Sequence, residues 1–362
     1  MNISINTDNN KNINTCIENL CKNLNKPKVI VVICEFSKFK DAMEILHTKY
    51  KNATIIGTSG YSYMNNSTLK DSITIWSISE DVQVECGVLE HSTTFPIANI
   101  KQLSDNVAKI NPTNSNTICL EFCTSGEEMI VSTFNSILPN NNIPLIGGTA
   151  FGCSESGEKY VYLNGTFYEN SCVYVLIKNL KGRIKVYREN IYKTTQFQFT
   201  ATKVDERSRS IIELNNKPAA HVYSQCLGIN ENDINNYVFK NPLGRIIGTD
   251  VFITAIKGIG KNSSIECYKK IYKNDIINIL DIEHYDSVIQ NTVNKIKADN
   301  SNPSFIFTVN CANRFILFEN DGYNDEYLKK LYNLCPHVGV IAEGEQFMTQ
   351  HVNQTMLCAV FE

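Results

Sequence analysis

Val29-Ile-Val-Val-Ile-Cys34, followed by the mixed run Ser37 to Tyr50 and then by Thr54-Ile-Ile-Gly57, decides the fold class. Six consecutive apolar residues bounded by polar ones have the length of a strand buried on both faces. Ser37 reads as an N-cap, so the run to Tyr50 predicts a helix. Strand, helix and strand in that order make an α/β unit. Further along, the β-rich runs Ser72–Ser79 and Val82–Glu90, split by Glu80-Asp81, read as a hairpin. A helix from Ile97 to Ile110, a strand from Thr117 to Cys123, a helix from Glu127 to Leu138 and a strand from Leu145 to Ala150 continue the alternation. Asn164-Gly165 between alternating runs is the strongest hairpin signal in the chain. The class is therefore α/β of mixed α+β character, with mixed sheets and flanking helices.

The second half repeats this alternation less regularly. Residues 184–200 read as extended chain bracing the two halves. A strand at Ile211–Leu214, a helix at Ala219–Leu227, strands near 251–257, 264–272 and 275–283, and a helix from His284 to Ala298 follow. Strands beginning at Phe305 and Val338 flank a helix from Asn324 to Leu334, and Met356–Phe361 is the closing strand. No sequence repeat is visible. A chain of 362 residues exceeds one ordinary core, so two mixed-sheet domains are expected, at 25–200 and 205–362.

Composition removes several function classes. The net charge is −3 and no basic block occurs, so the electrostatic drive for nucleic-acid binding is missing. The apolar runs are strand-sized and fall short of a membrane span. The start MNISINTDNNKNINT lacks the cationic and apolar regions of a signal peptide, which points to the cytoplasm. Thirteen cysteines contain no CxxC and sit mostly in apolar runs, as buried reduced thiols do. Six scattered histidines give no HxH or HExxH, so no dedicated metal site is expected. A haem needs only one axial histidine and is not removed by spacing.

The candidate site is in the last fifty residues. Phe305-Ile-Phe-Thr-Val-Asn-Cys-Ala-Asn-Arg314 is an apolar strand that stops at Asn310, Cys311 and Arg314. Val338-Gly-Val-Ile-Ala342 stops in the same way at Glu343-Gly344-Glu345, and His351-Val-Asn353-Gln-Thr355 leads into the last strand. Arg314 can fork onto a carboxylate. Glu345 offers the opposite charge, and Asn310 and Asn353 offer amides. One cation with one anion complements a zwitterion, of which an amino acid is the simplest; the two could equally pair with each other. Glu343 and Glu345, at i and i+2, would share a strand face. Gly147 and Gly148 would bring backbone close to a ligand, or allow tight packing. Cys311 with His351 as its base would make an enzyme, the third reading behind ligand binding and haem binding.

Taken in order, Ile143-Pro-Leu-Ile-Gly-Gly-Thr-Ala, Asn241-Pro-Leu-Gly, Phe307-Thr-Val-Asn-Cys-Ala-Asn-Arg, Gly339-Val-Ile-Ala-Glu-Gly-Glu and Val352-Asn-Gln-Thr resemble the FIST family along nearly the whole chain. The resemblance implies an intracellular sensory module for a small ligand such as an amino acid. In some members it implies a haem-based nitric oxide sensor acting on a separate kinase or cyclase. It places Arg314, Glu345 and Asn353 on the family's charged and amide positions. Here Ala342-Glu343-Gly344-Glu345 stands where the family tends to have aromatic-Gly-Glu. The sequence carries no kinase, cyclase, methyl-accepting or DNA-binding segment, so output is expected in trans, to a kinase, cyclase or chemoreceptor, or through a homo-oligomer.

Overall fold

Each of the three long buried strands Val29–Cys34, Thr117–Cys123 and Phe305–Cys311 pairs in parallel with the strand that follows its helix. Those partners are Thr54–Ser59, Leu145–Thr149 and His337–Ala342. The computed structural model describes every residue of the chain except Asn114 and Thr249. On the other side of each pair lies an antiparallel strand, Ile73–Glu80, Ser171–Asn179 or Met356–Phe361. Beyond it comes an edge strand, Asn2–Asp8, Val82–Glu90 or Ile184–Glu189. The molecule thus contains three equivalent units, each a mixed sheet of six strands once a hairpin is added. The mixed α/β class expected from the sequence is the class observed.

The hairpins are exchanged around a ring. Ser62–Met64 with Ser67–Leu69 leaves the first unit and completes the third sheet, where Ser62 faces Val340. Val161–Leu163 with Thr166–Tyr168 leaves the second unit and completes the first, with Val161 opposite Thr58. Glu345–Phe347 with Gln350–Val352 leaves the third unit and completes the second, with Glu345 opposite Gly148. The segments 25–200 and 205–362 therefore share sheets. Asn164 and Gly165 both have positive φ, +47° and +97°, as a type I′ hairpin turn requires.

Alternation along the strands makes two layers of core. Val31 and Ile33, Leu120 and Phe122, and Phe307 and Val309 point inward into one shared core. The opposite faces lie beneath helices: Ile13–Cys21 and Phe36–Lys49, then Ile100–Ile110 and Glu127–Asn135, then Tyr285–Asp299, Ala312–Asn320 and Asn324–Tyr332. The third unit also carries an insertion. From Tyr192 to Ile282 the chain forms an antiparallel sheet of eight strands, with its own core around Ala201, Leu214, Tyr223 and Ile279.

Three expectations change. Ile73–Glu80 and Val82–Glu90 exist as strands but do not pair with each other; they lie in different sheets, against the buried strands Val29–Cys34 and Ser171–Asn179. The polar N-terminus forms a strand and a helix whose buried face is Cys16, Ile17, Leu20 and Cys21. Arg314 does not simply follow a strand; it lies in a helix that starts directly after Cys311.

One position recurs in all three units. Val32, Glu121 and Thr308 face Gly57, Gly147 and Gly339 on the neighbouring parallel strand. A Cβ on Gly147 would stand 2.2 Å from Glu121 Oε1, and one on Gly339 would stand 2.3 Å from Thr308 Oγ1. Gly147→Ala and Gly339→Ala should each cost about 1–3 kcal/mol in urea unfolding. Gly258→Ala, where a Cβ meets only Asn235 Oδ1 at 3.5 Å, should be near neutral. Glu121 is fully buried, and burial pushes its carboxyl up from 4.5 to about 8. The folded state therefore holds a proton that the unfolded chain releases, and stability should fall as pH rises from about 4.5 to about 8. Glu121→Gln should remove a few kcal/mol of that decline, at roughly 1.4 kcal/mol per pH unit, measured by denaturation at pH 5 and pH 8.

Candidate functional site

Arg314 is fully buried, in the first turns of the helix Ala312–Asn320. Its Nη2 donates to Glu189 Oε1, and Glu189, the last residue of the edge strand Ile184–Glu189, is buried as well. The guanidinium lies 4.8 Å from the Phe318 ring centre and 5.5 Å from that of Tyr327. Burial works against the Arg314 charge, but the Glu189 carboxylate more than offsets it and holds the pKa above the ordinary value. The charge of Arg314 reaches Tyr63, Tyr192, Tyr327 and Glu345, which surround it.

Around this pair is a concentration of buried polar atoms without partners among the described residues. They are Arg314 Nε and Nη1, Glu189 Oε2, Tyr327 Oη, Asn310 Oδ1, Gln354 Oε1 and Glu345 Oε2. The satisfied halves of the same groups fix their orientation. Asn310 Nδ2 donates to Tyr63 Oη at 3.1 Å, and Gln354 Nε2 donates to Tyr192 Oη at 3.0 Å. Glu345 Oε1 accepts from the Thr355 amide at 3.0 Å and from its hydroxyl at 3.2 Å. Burial raises the Glu345 carboxyl well above the ordinary range, against the hydrogen bonds from Thr355 that lower it. Buried polar groups are normally paired, and these seven atoms have no partner among the described residues.

A model of the FIST N domain matches residues 28–217, and a model of the FIST C domain matches residues 219–348. The chain belongs to the FIST family. No curated protein matches it. FIST domains are sensory domains implicated in signal transduction. In this FIST protein the ion pair joins the two matched regions, since Glu189 lies in the first and Arg314 in the second. No helix among the described residues is long and apolar enough to cross a membrane.

The remaining expected site residues separate into other places. Cys311 is buried beside Glu345, and burial holds its thiol far above the thiolate range. No hydrogen bond joins it to His351 among the described residues, so a Cys–His pair is not assembled. Asn353 turns the other way: its Oδ1 accepts from the Ala255 amide of the inserted sheet at 3.3 Å, and its Nδ2 meets His351 Nε2 at 3.4 Å. Glu343 and Glu345 do not share a face, because Glu343 precedes the strand and pairs with Lys159 while Glu345 points inward. Gly147 and Gly148 carry the exchanged hairpin, opposite Gln346 and Glu345. A Cβ on Gly148 would meet Ala342 Cβ at 2.6 Å.

A second polar cluster is where the insertion meets the second unit. Arg209 Nη2 lies 3.1 Å from Glu127 and 3.0 Å from Glu128, and His351 Nδ1 lies 3.6 Å from Glu128. Glu127, Glu128 and His351 are close enough together to hold a metal ion. Arg209 already stands against both carboxylates and would compete with any cation. His337 is buried against Thr308 Oγ1 at 2.8 Å, and burial lowers it to about 4. Sequence reading missed Glu189, the three tyrosines and Gln354. Glu189 sits in an alternating strand and gives no local signal.

Removing one member of the buried pair should be costly. Arg314→Ala or Glu189→Ala should each lose roughly 3–5 kcal/mol in denaturant unfolding. The double variant Arg314→Met/Glu189→Met should recover most of that loss, since no buried charge is left alone.

Proposed function

We propose that this FIST protein senses a small polar molecule, with an amino acid as the simplest fit, at the cluster around Arg314, and passes the signal to a separate protein. The observation that supports the reading is the set of seven orphaned buried atoms, which includes both donors and acceptors. Arg314 Nε and Nη1 would donate to the ligand carboxylate. Glu189 Oε2, Asn310 Oδ1 and Gln354 Oε1 would accept from its ammonium group. Glu345 Oε2 would hydrogen-bond to a hydroxyl or ammonium group of the ligand.

Every lining group is buried, so entry requires an element to move. The inserted sheet contributes Tyr192 and the third unit contributes Arg314, so separating the two exposes the cluster. A ligand that bridges them favours one relative position, and that bias is the signal.

The test is a thermal-shift panel of amino acids and small carboxylic acids, with native mass spectrometry of the purified protein. A ligand at a hundredfold excess over Kd should add about 2.7 kcal/mol and raise the melting point by several degrees. The Arg314→Met/Glu189→Met variant should lose that shift, and Glu345→Gln should weaken it. A panel without a hit and a protein without a co-purifying molecule would sink the reading. A hit that the double variant leaves intact would place the ligand elsewhere.

A further inference from the structure

The edge strand Ile184–Glu189 has one side open. Glu362 N donates to Arg183 O, and this fixes which residues of the strand face Met356–Phe361: Lys185, Tyr187 and Glu189 bond to it. The amides and carbonyls of Val186 and Arg188 therefore point the other way. The Ile184 amide, which also points outward, is met by Ser115 O at 2.9 Å, so the edge is already extended at its start. For Val186 and Arg188 no backbone partner exists among the described residues. These outward groups face a cleft of about 860 Å³ between the third unit, the second unit and the inserted sheet. The equivalent cleft beside Asn2–Asp8 is only about 190 Å³. At the position equivalent to it beside Val82–Glu90, Asn164 Nδ2 reaches Cys86 Sγ at 3.4 Å.

The two walls of the large cleft differ in chemistry. On the helix side stand Lys185 and the exposed Lys295, neither of which has a carboxylate partner among the described residues. Asp299 lies on the same side, with its carboxylate accepting from Tyr187 Oη at 3.2 Å. On the other side are Phe252 and Phe347, both packed on the shared core, and Arg188 lies 4.7 Å over the Phe252 ring and bonds Asp250 at 2.9 Å. Three cations and two carboxylates line the cleft, leaving it at +1 in a chain whose net charge is −3.

We infer that this cleft docks an extended segment of a partner protein as an added strand alongside Ile184–Glu189, with acidic and apolar residues alternating in the segment. Main-chain bonds to Val186 and Arg188 supply the pairing, as in other strand additions. Side chains on an added strand point alternately to its two faces, so acidic residues meet Lys185 and Lys295 while apolar ones meet Phe252 and Phe347. The inference goes beyond the ligand reading and does not need it. The same strand ends at Glu189, so the docking edge and the Arg314 cluster share one element.

The test uses the full-length protein and a fluorescein-labelled decapeptide library with Glu or Asp alternating with Val, Leu or Phe. Binders should show anisotropy saturation and should slow exchange of the Val186 and Arg188 amides at least tenfold. Replacing the acidic residues with Lys should weaken binding at least tenfold. Val186→Pro removes an outward donor without touching the existing ladder, as edge strands tolerate, and should abolish binding. Lys185→Glu/Lys295→Glu gives an independent arm, reversing the preference towards the Lys peptides. No binder, equal binding of the Lys peptides, or protection at other amides would overturn the inference. So would sedimentation showing that a second copy of the chain covers this edge.

Discussion

Hairpin exchange holds this molecule together. Each six-stranded sheet lacks its outer pair of strands until another unit supplies them, so no sheet is complete within one stretch of chain. An open sheet edge is costly in water and invites wrong pairing. Here one edge of each sheet is paired by a hairpin passed around a ring. The inward faces of all three sheets share one apolar core, so the exchange and the core depend on each other. The Arg314 cluster inherits its position from this arrangement. Tyr63 arrives on the hairpin of the first unit, Glu345 begins the hairpin of the third, and Glu189 comes from the edge strand.

The electrostatics of the cluster follow from burial. A guanidinium out of water keeps its charge only beside a carboxylate, and Glu189 supplies one. Glu345 makes no ion pair among the described residues, and burial holds its carboxyl well above the ordinary range. The two acids near Arg314 are therefore unlike: Glu189 pairs with the guanidinium, while Glu345 accepts from the amide and hydroxyl of Thr355.

Much of the fold was legible because strand and helix periods are local properties. Val29–Cys34, Thr117–Cys123 and Leu145–Thr149 announce themselves by apolar runs, and Asn164-Gly165 by its turn chemistry. What pairs with what was not legible. Ser72–Ser79 and Val82–Glu90 look like a hairpin because only Glu80 and Asp81 divide them, yet the partners of the two strands lie far off in sequence. The threefold repeat leaves as a trace the glycine at Gly57, Gly147 and Gly339, opposite three unlike residues. Arg314 and Glu345 stood out because charge directly after an apolar strand is unusual. Glu189 did not, because in an alternating strand a charged residue is expected to face water. The motifs that resembled the FIST family were stronger guides than any single residue.

The ring of exchanged hairpins also has a consequence for how the chain reaches its folded state. Ser62 pairs with Val340, and the two central strands of the third sheet are Phe305–Cys311 and His337–Ala342. While the chain emerges from the ribosome, the first unit must keep its hairpin Ser62–Leu69 unpaired until the strand His337–Ala342 appears. Contacts so distant in sequence make folding slow and leave strand edges bare in the meantime. Synthesis of this protein thus has a long interval in which an unpaired strand edge of the nascent chain is exposed to wrong pairing.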